Sequence, residues 1–332
     1  MIVNSYRRWR MGLLAAVCGI AISGLANSQE YPAKPVTLIV PYGPGGNADL
    51  SARALAAAVQ ADKLVEQSIV VENREGAGGI VATQYVQRSA KDGYTLLLAR
   101  IGSQVVAPAL NPATPYKWDD LAPLGLIEID PFVCVVKADS PIKTFKELLA
   151  AVKAKPGKLN YASTGPMDTT VVFPTKAFLD SGLPANAAVK VPYKGGGAAA
   201  AAVLSGVVDF GCNALAPYLG AIQGGTLRAL VVTTPARIAD LPDTPTVSEI
   251  GMKQLEMVSG WNALYGPVGL PKQVVDYWAG VLARMKTSPA WLETVKRRGT
   301  IPSIMTPEET QKFVRDQYTA YRTLSNVIGP DK

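Results

Sequence analysis

The chain has 332 residues, of which 48% are apolar and 18% charged, and its formal net charge is +7. It contains no histidine, which excludes Ser-His-Asp and Cys-His catalysis, histidine-ligated zinc and imidazole proton transfer. The length indicates about two domains, and the apolar content is sufficient for buried cores.

The N-terminus has the features of a secretory signal peptide. Arg7, Arg8 and Arg10 precede an apolar run over residues 11–25, and small residues follow as far as Ser28. A run of about 15 residues is shorter than a bilayer span, so we expect residues 1–28 to be removed on export to the periplasm. A retained membrane anchor is the alternative, and the Arg7-Arg8 pair leaves Sec and twin-arginine export open.

The positive charge is partly a property of this leader. The leader contains three of the 33 basic residues and none of the 26 acidic ones, so the mature chain has a net charge of +4. The remaining charges are scattered, without the basic runs that mark nucleic-acid surfaces, and we exclude a nucleic-acid partner. A small positive surplus suits an anionic ligand.

Strands and helices alternate in the first part of the mature chain. Short β-branched runs predict strands, and Gly-rich turns after them lead into helical patterns. The predicted elements are strand 36–40, helix 48–61, strand 68–72, helix 80–89 and strand 95–99. This alternation is typical of a parallel sheet with helices on its faces.

A second set of the same kind starts near residue 127. Thr144 is a suitable N-cap for a helix over residues 145–154. The other predicted elements are strands 132–136, 159–162, 189–192, 207–212 and 227–233, and an Ala-rich helix at 198–204. A strand at 261–265 and helices at 273–287, 289–298 and 307–326 end the chain.

Two α/β units of similar order predict two lobes with a cleft between them. Each lobe is expected to be a mixed, mostly parallel sheet flanked by helices. We expect residues 29–127 and 250–332 to form lobe 1, and residues 128–249 to form lobe 2. Ligands of such sheets bind beyond the carboxyl ends of the strands, which is where the Gly-rich turns lie.

Two cysteines remain after the leader, Cys134 and Cys212, and both lie in apolar, strand-like runs. Pairing in an oxidising compartment and burial as two small hydrophobic residues are both open. The sequence favours the second, because nothing in it brings the two Cα atoms within disulfide distance. No C-x-x-C motif is present, so thiol redox chemistry is not expected.

Four Gly-rich turns lead from a strand into a helix. Glycines let the backbone approach a ligand, and the N–H groups of a helix N-terminus attract an anion. The turns are residues 41–49 (loop 1), 72–79 (loop 2), 163–170 (loop 3) and 191–197 (loop 4). With two turns in each lobe, they predict two anion-holding surfaces that face one cleft.

Loop 1 also fits another motif. Gly43-x-Gly45-x-x-Ala48 matches the dinucleotide fingerprint, with Glu72 at the end of the next strand. The leader argues against this interpretation, because exported proteins seldom carry an exchangeable nicotinamide. The phosphate-loop and G-x-S-x-G patterns are absent, and we expect neither a cofactor nor a metal.

The ordered set of motifs resembles one family over essentially the whole mature chain. It comprises Tyr31-Pro32, loop 1 with Arg53, Val70-Val71-Glu72-Asn73-Arg74, Gly76-Ala77-Gly78-Gly79, Asp92-Gly93-Tyr94-Thr95-Leu96, Val191-Pro192-Tyr193-Lys194-Gly195-Gly196, Gly206-x-Val208-Asp209, Arg228-Ala229-Leu230, and Leu241-Pro242 to Glu249-x-Gly251. The set is similar to that of the periplasmic solute-binding proteins of tripartite tricarboxylate transporters, also called Bug proteins.

The resemblance implies a Venus-flytrap fold that closes over a carboxylate and delivers it to a large and a small membrane subunit. It implies that backbone N–H groups and bridging waters of loops 1 and 2 hold one carboxylate, while lobe 2 contacts the rest of the ligand. A purely capping role for Asp49 stays open. The implied binding residues are Tyr42, Gly43, Gly45, Gly46, Asn47, Asp49, Gly76, Ala77, Gly78 and Gly79 in lobe 1, and Ser163, Thr164, Gly165, Asp168, Tyr193 and Lys194 in lobe 2.

The sequence departs from the family pattern in loop 3 and at the end of the third strand. Relatives often carry a histidine near the position of Val171, and its absence makes the pocket wall more apolar, which favours an aromatic or longer aliphatic acid. Arg100 stands where relatives commonly have a small polar residue, and it either clamps a second carboxylate or is a solvated or salt-bridged residue at the rim. Ser103 and Asn213 are further candidate contacts.

These observations predict a monomeric binding protein for an organic carboxylate, either a dicarboxylate or an aromatic acid, that is not an enzyme. We expect no membrane insertion once the leader is removed. One alternative is a carboxylate-dependent enzyme such as a lyase, for which Asp49 and Asp168 are the only obvious pair of acids. Another is a sensor partner that presents its ligand to a signalling receptor.

Overall fold

The computed structural model describes residues 31–165 and 168–328. The expected leader, residues 1–28, lies outside the described residues. In the described part of the chain, no helix is both long and apolar enough to cross a membrane. Two β-sheets flanked by helices organise these residues into two lobes.

A six-stranded mixed sheet forms lobe 1. Its strands are β1 (Val36–Val40), β2 (Ile69–Asn73), β3 (Thr95–Arg100), β4 (Leu121–Asp130), β10 (Gly260–Pro267) and β11 (Ile301–Pro302), in the spatial order β11-β4-β10-β3-β1-β2. β1 runs parallel to β2 and β3, whereas β10 runs antiparallel to β3 and β4. β3 is covered on both faces, which explains its unbroken apolar sequence.

Helices cover both faces of this sheet. They are α1 (Asn47–Ala61), α2 (Ile80–Gln87), α3 (Ala107–Leu110), α8 (Lys272–Met285), α9 (Pro289–Arg297) and α10 (Pro307–Arg322). A short helical turn, Gly102–Val106, precedes α3. The start of α10 is fixed by a reciprocal capping box between Thr306 and Glu309.

A five-stranded mixed sheet forms lobe 2. Its strands are β5 (Phe132–Lys137), β6 (Asn160–Ser163), β7 (Val189–Pro192), β8 (Phe210–Ala214) and β9 (Leu227–Val232), in the spatial order β7-β6-β8-β5-β9. Parallel pairing joins β6 to β7 and β8, and antiparallel pairing joins β5 to β8 and β9. The helices are α4 (Phe145–Ala154), α5 (Thr169–Asp180), α6 (Gly196–Ser205) and α7 (Ala216–Gln223). Thr144 caps α4 as predicted.

The chain passes between the lobes in two adjacent segments. β4 continues into β5 through Pro131 alone, so the predicted lobe boundary after residue 127 falls inside β4. The return path runs over residues 233–259 from β9 to β10, and there Gly260 stands opposite Asp130, next to Pro131. Two short crossing segments side by side are the arrangement that permits hinge closure.

The C-terminal segment makes a further contact between the lobes. α10 packs against β4 of lobe 1. Beyond its end, Val327 and Ile328 lie beside Tyr161 and Val171 of lobe 2. The two lobes are therefore also joined by an apolar contact outside the crossing segments.

Cys134 and Cys212 form a disulfide bond, so the prediction of two unpaired, buried cysteines is wrong. Cys134 on β5 stands directly opposite Cys212 on β8, and their Cα atoms are 4.0 Å apart. The strand order brings them together, because β5 pairs with β8 rather than with β6, and periodicity does not reveal that order. Disulfide bonds form and persist in oxidising environments, so this bond indicates that the chain folds in an oxidising compartment.

Candidate ligand-binding cleft

Loop 1 is held in shape from within by Asp49. The Asp49 side chain is only 3% exposed, and it accepts the Gly45 N–H at 2.9 Å and the Arg53 Nε at 3.0 Å. Burial alone would raise the pKa of Asp49, but the hydrogen bonds from Arg53, Gly45 and Asn73 hold that pKa below its ordinary value. Asp49 is therefore ionised, and its charge is compensated inside the loop.

Tyr42 joins loop 1 to loop 2. Its hydroxyl donates to the Gly78 carbonyl at 3.3 Å, and a Cβ added to Gly102 would stand 2.6 Å from the hydroxyl oxygen. Asn73 donates from Nδ2 to the Tyr42 carbonyl at 2.9 Å. Burial raises the pKa of Tyr42 to about 12, so the phenol is a neutral hydrogen-bonding group at the base of the two loops.

Loop 2 has an unusual run of left-handed backbone. Gly76, Ala77, Gly78 and Gly79 have φ angles of 140°, 47°, 67° and 99°. Glycine adopts such angles without steric cost, whereas Ala77 is strained there. Successive N–H groups in turns of this kind form concave surfaces that bind anions, so the sequence places its glycines where this geometry requires them.

Both loops meet the end of β3 at Gly79 and Ser103. A Cβ on Gly79 would stand 2.8 Å from the Ser103 Cβ and 3.1 Å from the Pro41 Cβ. Ser103 is buried, and its carbonyl accepts the Tyr116 hydroxyl at 2.7 Å. Ser103 thus supports the two loops from beneath.

Arg100, the last residue of β3, forms an ion pair with Asp130. Its Nη2 lies 2.6 Å from Asp130 Oδ2, and the two side chains are 14% and 1% exposed. Asn47 donates from Nδ2 to the same oxygen at 2.8 Å. Burial raises the pKa of Asp130 and the Arg100 charge opposes that change. Of the two roles that the sequence leaves open for Arg100, the salt bridge is present, and the side chain of Asn47 is engaged in the same cluster.

A second buried ion pair lies two residues earlier on β4. Glu128 accepts Nη1 and Nη2 of Arg298, each at 2.9 Å, and Arg298 Nη2 also donates to Asn47 Oδ1 at 3.0 Å. Further donors to the Glu128 carboxylate are the side chains of Ser51, Asn262 and Thr300. Sequence reasoning missed Glu128, Asp130 and Arg298. The available signal was the alternation Ile127-Glu128-Ile129-Asp130, which places both acids on one face of a strand.

Loop 3 leads into a capped helix in lobe 2, and residues 166 and 167 lie outside the described part of this loop. Asp168 is the N-cap of α5 and accepts the Thr170 N–H at 2.9 Å and the Thr169 hydroxyl at 3.2 Å. The Thr164 N–H donates to the Thr170 hydroxyl at 2.9 Å. Asp168 therefore has one oxygen engaged in capping.

The other predicted contacts of loop 3 differ in exposure. Ser163 is buried and donates to the Val191 carbonyl at 3.4 Å, whereas Gly165 is half-buried. Val171 is buried in the hydrophobic core. The side chain at position 171 therefore belongs to the core and does not form an exposed wall of the cleft.

Loop 4 precedes a helix with an uncapped N-terminus. Its half-buried Tyr193 donates its N–H to the Ser163 carbonyl at 2.8 Å, which places loops 3 and 4 side by side, and Lys194 is exposed. Gly195, with φ +87°, is the N-cap of α6. Within the described residues no side chain caps this helix, and its first turn contains no acid.

Asn213 lies against this N-terminus with a free amide group. Its Oδ1 accepts the Ala214 N–H at 2.8 Å, which fixes the orientation of the amide. Nδ2 therefore points the other way, and a Cβ added to Gly196 would stand 3.1 Å from it. Asn213 is 7% exposed, and Nδ2 has no hydrogen-bond partner among the described residues. Lobe 2 thus presents an unsatisfied donor beside an uncapped helix end.

Charges of both lobes lie near Tyr42. Arg100 of lobe 1 lowers the pKa of Tyr42 and Asp168 of lobe 2 raises it, although burial has the larger effect. Loop 1 meets the end of β3 at Asp130, which pairs with Arg100 and accepts the Asn47 amide, and the Asp168 charge of loop 3 lies near Tyr42. A cavity of about 600 Å³ lies on lobe 2 and one of about 340 Å³ lies between lobe 2 and the C-terminal segment, and neither is lined by a predicted binding residue. Between residues 31 and 328, as far as described, no three His, Cys, Asp or Glu residues are grouped to hold a metal.

Two α/β lobes joined by adjacent crossings, with Gly-rich loops facing one cleft, define the class of two-lobed periplasmic binding proteins. Residues 52–329 match the family described as the tripartite tricarboxylate transporter family receptor. The chain belongs to this family, whose members are periplasmic solute-binding proteins rather than enzymes.

Individual relatives agree with this assignment. Protein BugT of Bordetella pertussis (strain Tohama I) is 34% identical over 310 residues, which cover 92% of each chain. The structure of the periplasmic binding protein BugD is similar with a TM-score of 0.77 at 31% identity, covering 90% of this chain and 100% of BugD. R. palustris Rpa4515 with adipate has a TM-score of 0.79 at 25% identity, covering 90% and 98%. The predicted family and two-lobed α/β fold are confirmed.

Proposed function

We propose that this protein captures an organic carboxylate, either a dicarboxylate or an aromatic acid, in the cleft between its lobes. It delivers the ligand to the large and small membrane subunits of a tripartite tricarboxylate-type transporter. It acts in the periplasm as a monomer after removal of residues 1–28, without cofactor, metal or turnover.

The observation that carries this proposal is the backbone of loops 1 and 2. Both loops follow the carboxyl ends of parallel strands, where α/β sheets bind ligands. Gly46 is the N-cap of α1, and no described side chain caps the helix, so its first N–H groups attract an anion. The charges nearby are already paired, Asp49 with Arg53 and Asp130 with Arg100. Backbone N–H groups, rather than charged side chains, therefore bind the carboxylate.

Lobe 2 is suited to the far end of the ligand. The unpaired Nδ2 of Asn213 and the uncapped N-terminus of α6 both donate hydrogen bonds without requiring a positive side chain. A carbonyl, hydroxyl or carboxylate oxygen satisfies them. The adipate in R. palustris Rpa4515 supports a carboxylate ligand for this chain.

The enzyme alternative requires two free acids in the cleft. Asp49 is held by Arg53 and the Gly45 N–H, and Asp168 caps α5. Their engagement favours binding over acid–base chemistry.

Calorimetric titration of the mature protein with a library of mono- and dicarboxylic acids tests this function. We expect micromolar or tighter binding of at least one acid, and the same acid recovered unchanged after long incubation. Failure to bind any carboxylate contradicts the proposal, and chemical conversion of a bound acid supports the enzyme alternative.

Gly79→Ala is expected to weaken carboxylate binding by at least about tenfold, because the added Cβ clashes with Ser103 and Pro41 and displaces loop 2. Gly182→Ala is the matched control. Gly182 also has a positive φ, 71°, but it lies at the end of α5 with no atom within 4 Å of a Cβ, among the described residues. The control is expected to lose some stability and keep its affinity in the same titration. Equal affinities for both variants contradict a binding role for loop 2.

A further inference from the structure

Arg100 of lobe 1 lies beside the cleft, and its positive charge is already balanced by a carboxylate. Arg100 pairs with Asp130 at 2.6 Å, and Asn47 donates to the same carboxylate oxygen at 2.8 Å. The pair is almost fully enclosed, with 14% of the Arg100 side chain and 1% of the Asp130 side chain exposed. Asn47 belongs to loop 1, so its hydrogen bond to Asp130 places the pair beside the loops that bind the carboxylate.

We infer that Asp130 is a specificity-determining residue: by holding Arg100 in a neutral ion pair, it keeps lobe 1 from clamping a second ligand carboxylate. This inference rests on the proposed function. The part of the ligand that lies against Arg100 is then uncharged. A second carboxylate, where the ligand has one, is held in lobe 2 instead.

A ligand carboxylate cannot easily replace Asp130 as the partner of Arg100. Asp130 Oδ1 is buried and has no hydrogen-bond partner among the described residues, so breaking the ion pair leaves an uncompensated buried charge. The backbone also holds Asp130 in place. It is the last residue of β4 and pairs with Gly260, where an added Cβ would lie 2.9 Å from the Asp130 Cβ.

Among the described residues, the other buried or partly buried charges near Arg100 are also paired. Glu128 balances Arg298, and Asp49 balances Arg53. Asp168 adds a negative charge near Tyr42. A paired guanidinium still has further N–H groups, which suit a neutral acceptor such as a hydroxyl or carbonyl oxygen.

Matched acids that differ by one carboxylate test the inference. We expect Asp130→Asn, which unbalances Arg100, to shift the affinity ratio of adipate to hexanoate, and of terephthalate to benzoate, about tenfold toward the dicarboxylates. Glu128→Gln is the control, because it removes the other buried carboxylate of β4 without freeing Arg100. A purely structural effect would weaken the binding of both acids of a pair equally and leave their affinity ratio unchanged. An unchanged ratio in Asp130→Asn therefore overturns the inference. It is also overturned if Glu128→Gln shifts the ratio as much as Asp130→Asn does.

The double variant Arg100→Gln/Asp130→Asn decides the matter even if Asp130→Asn does not fold. It removes both charges and leaves a shorter polar side chain at position 100, so its ratio is expected to stay within about threefold of the wild type. If Arg100 clamps a second carboxylate in the wild type, the double variant loses about tenfold for dicarboxylates alone, which overturns the inference. A wild-type protein that binds no acid at all contradicts the proposed function itself.

Discussion

Arg298→Ala is expected to destabilise the protein by about 3–5 kcal/mol, which is the usual result of removing one partner of a buried ion pair. Glu128 has 0% of its side chain exposed and Arg298 has 13%, so solvent cannot replace the missing charge. The guanidinium also donates to Asn47 at the start of α1. Its loss therefore affects both the sheet and the entry to loop 1. Urea unfolding followed by circular dichroism measures the change.

The preceding residue provides a matched control. Arg297 pairs with Glu293 on the surface of α9, where the side chains are 68% and 69% exposed. Exposed pairs contribute little, so Arg297→Ala is expected to leave the urea midpoint almost unchanged. If the two variants unfold at the same urea concentration, the Glu128–Arg298 pair does not stabilise the fold.

Elements with strong local signals were predictable from the sequence. The helix Phe145–Ala154 and the strand Val189–Pro192 have the predicted bounds, the first because Thr144 supplies its cap locally. β4 was missed, because Pro123 and Gly125 interrupt its pattern and the strand accommodates them with register shifts against β10. α5 was obscured by Pro174, which lies inside it, since its cap at Asp168 and its burial outweigh the proline.

The candidate site was likewise predictable only in part from the sequence. Loops 1 and 2 were predictable because glycines at strand ends follow from local backbone geometry. The ion pairs were not, because they join residues 30 and 170 positions apart in the chain. Asn47 illustrates the difference: its place in loop 1 was predicted, but its side chain binds Asp130 and Arg298. Only the tertiary structure determines which groups face the ligand.

Removing the disulfide with the double variant Cys134→Ala/Cys212→Ala is expected to cost about 4 kcal/mol. The bond closes a loop with a sequence separation of 78, and cross-links of that length restrict the unfolded chain strongly. Both cysteines are buried in the middle of the lobe 2 sheet. We expect a large decrease in the urea midpoint. The same decrease is expected for the wild type unfolded in reductant, whereas reductant should have no effect on the double variant.

The double cysteine variant is also expected to bind its ligand more weakly. Cys212 directly precedes Asn213 on β8, so the disulfide fixes the part of the strand that presents the free Asn213 amide to the N-terminus of α6. We therefore expect the double variant, under conditions where it is folded, to bind its carboxylate several-fold more weakly, with the loss confined to ligands that reach lobe 2. Asn213→Ala should show the same preference among ligands without the loss of stability. If the cysteines of the exported protein react with a thiol reagent after unfolding without reductant, they are not paired, and both expectations fail.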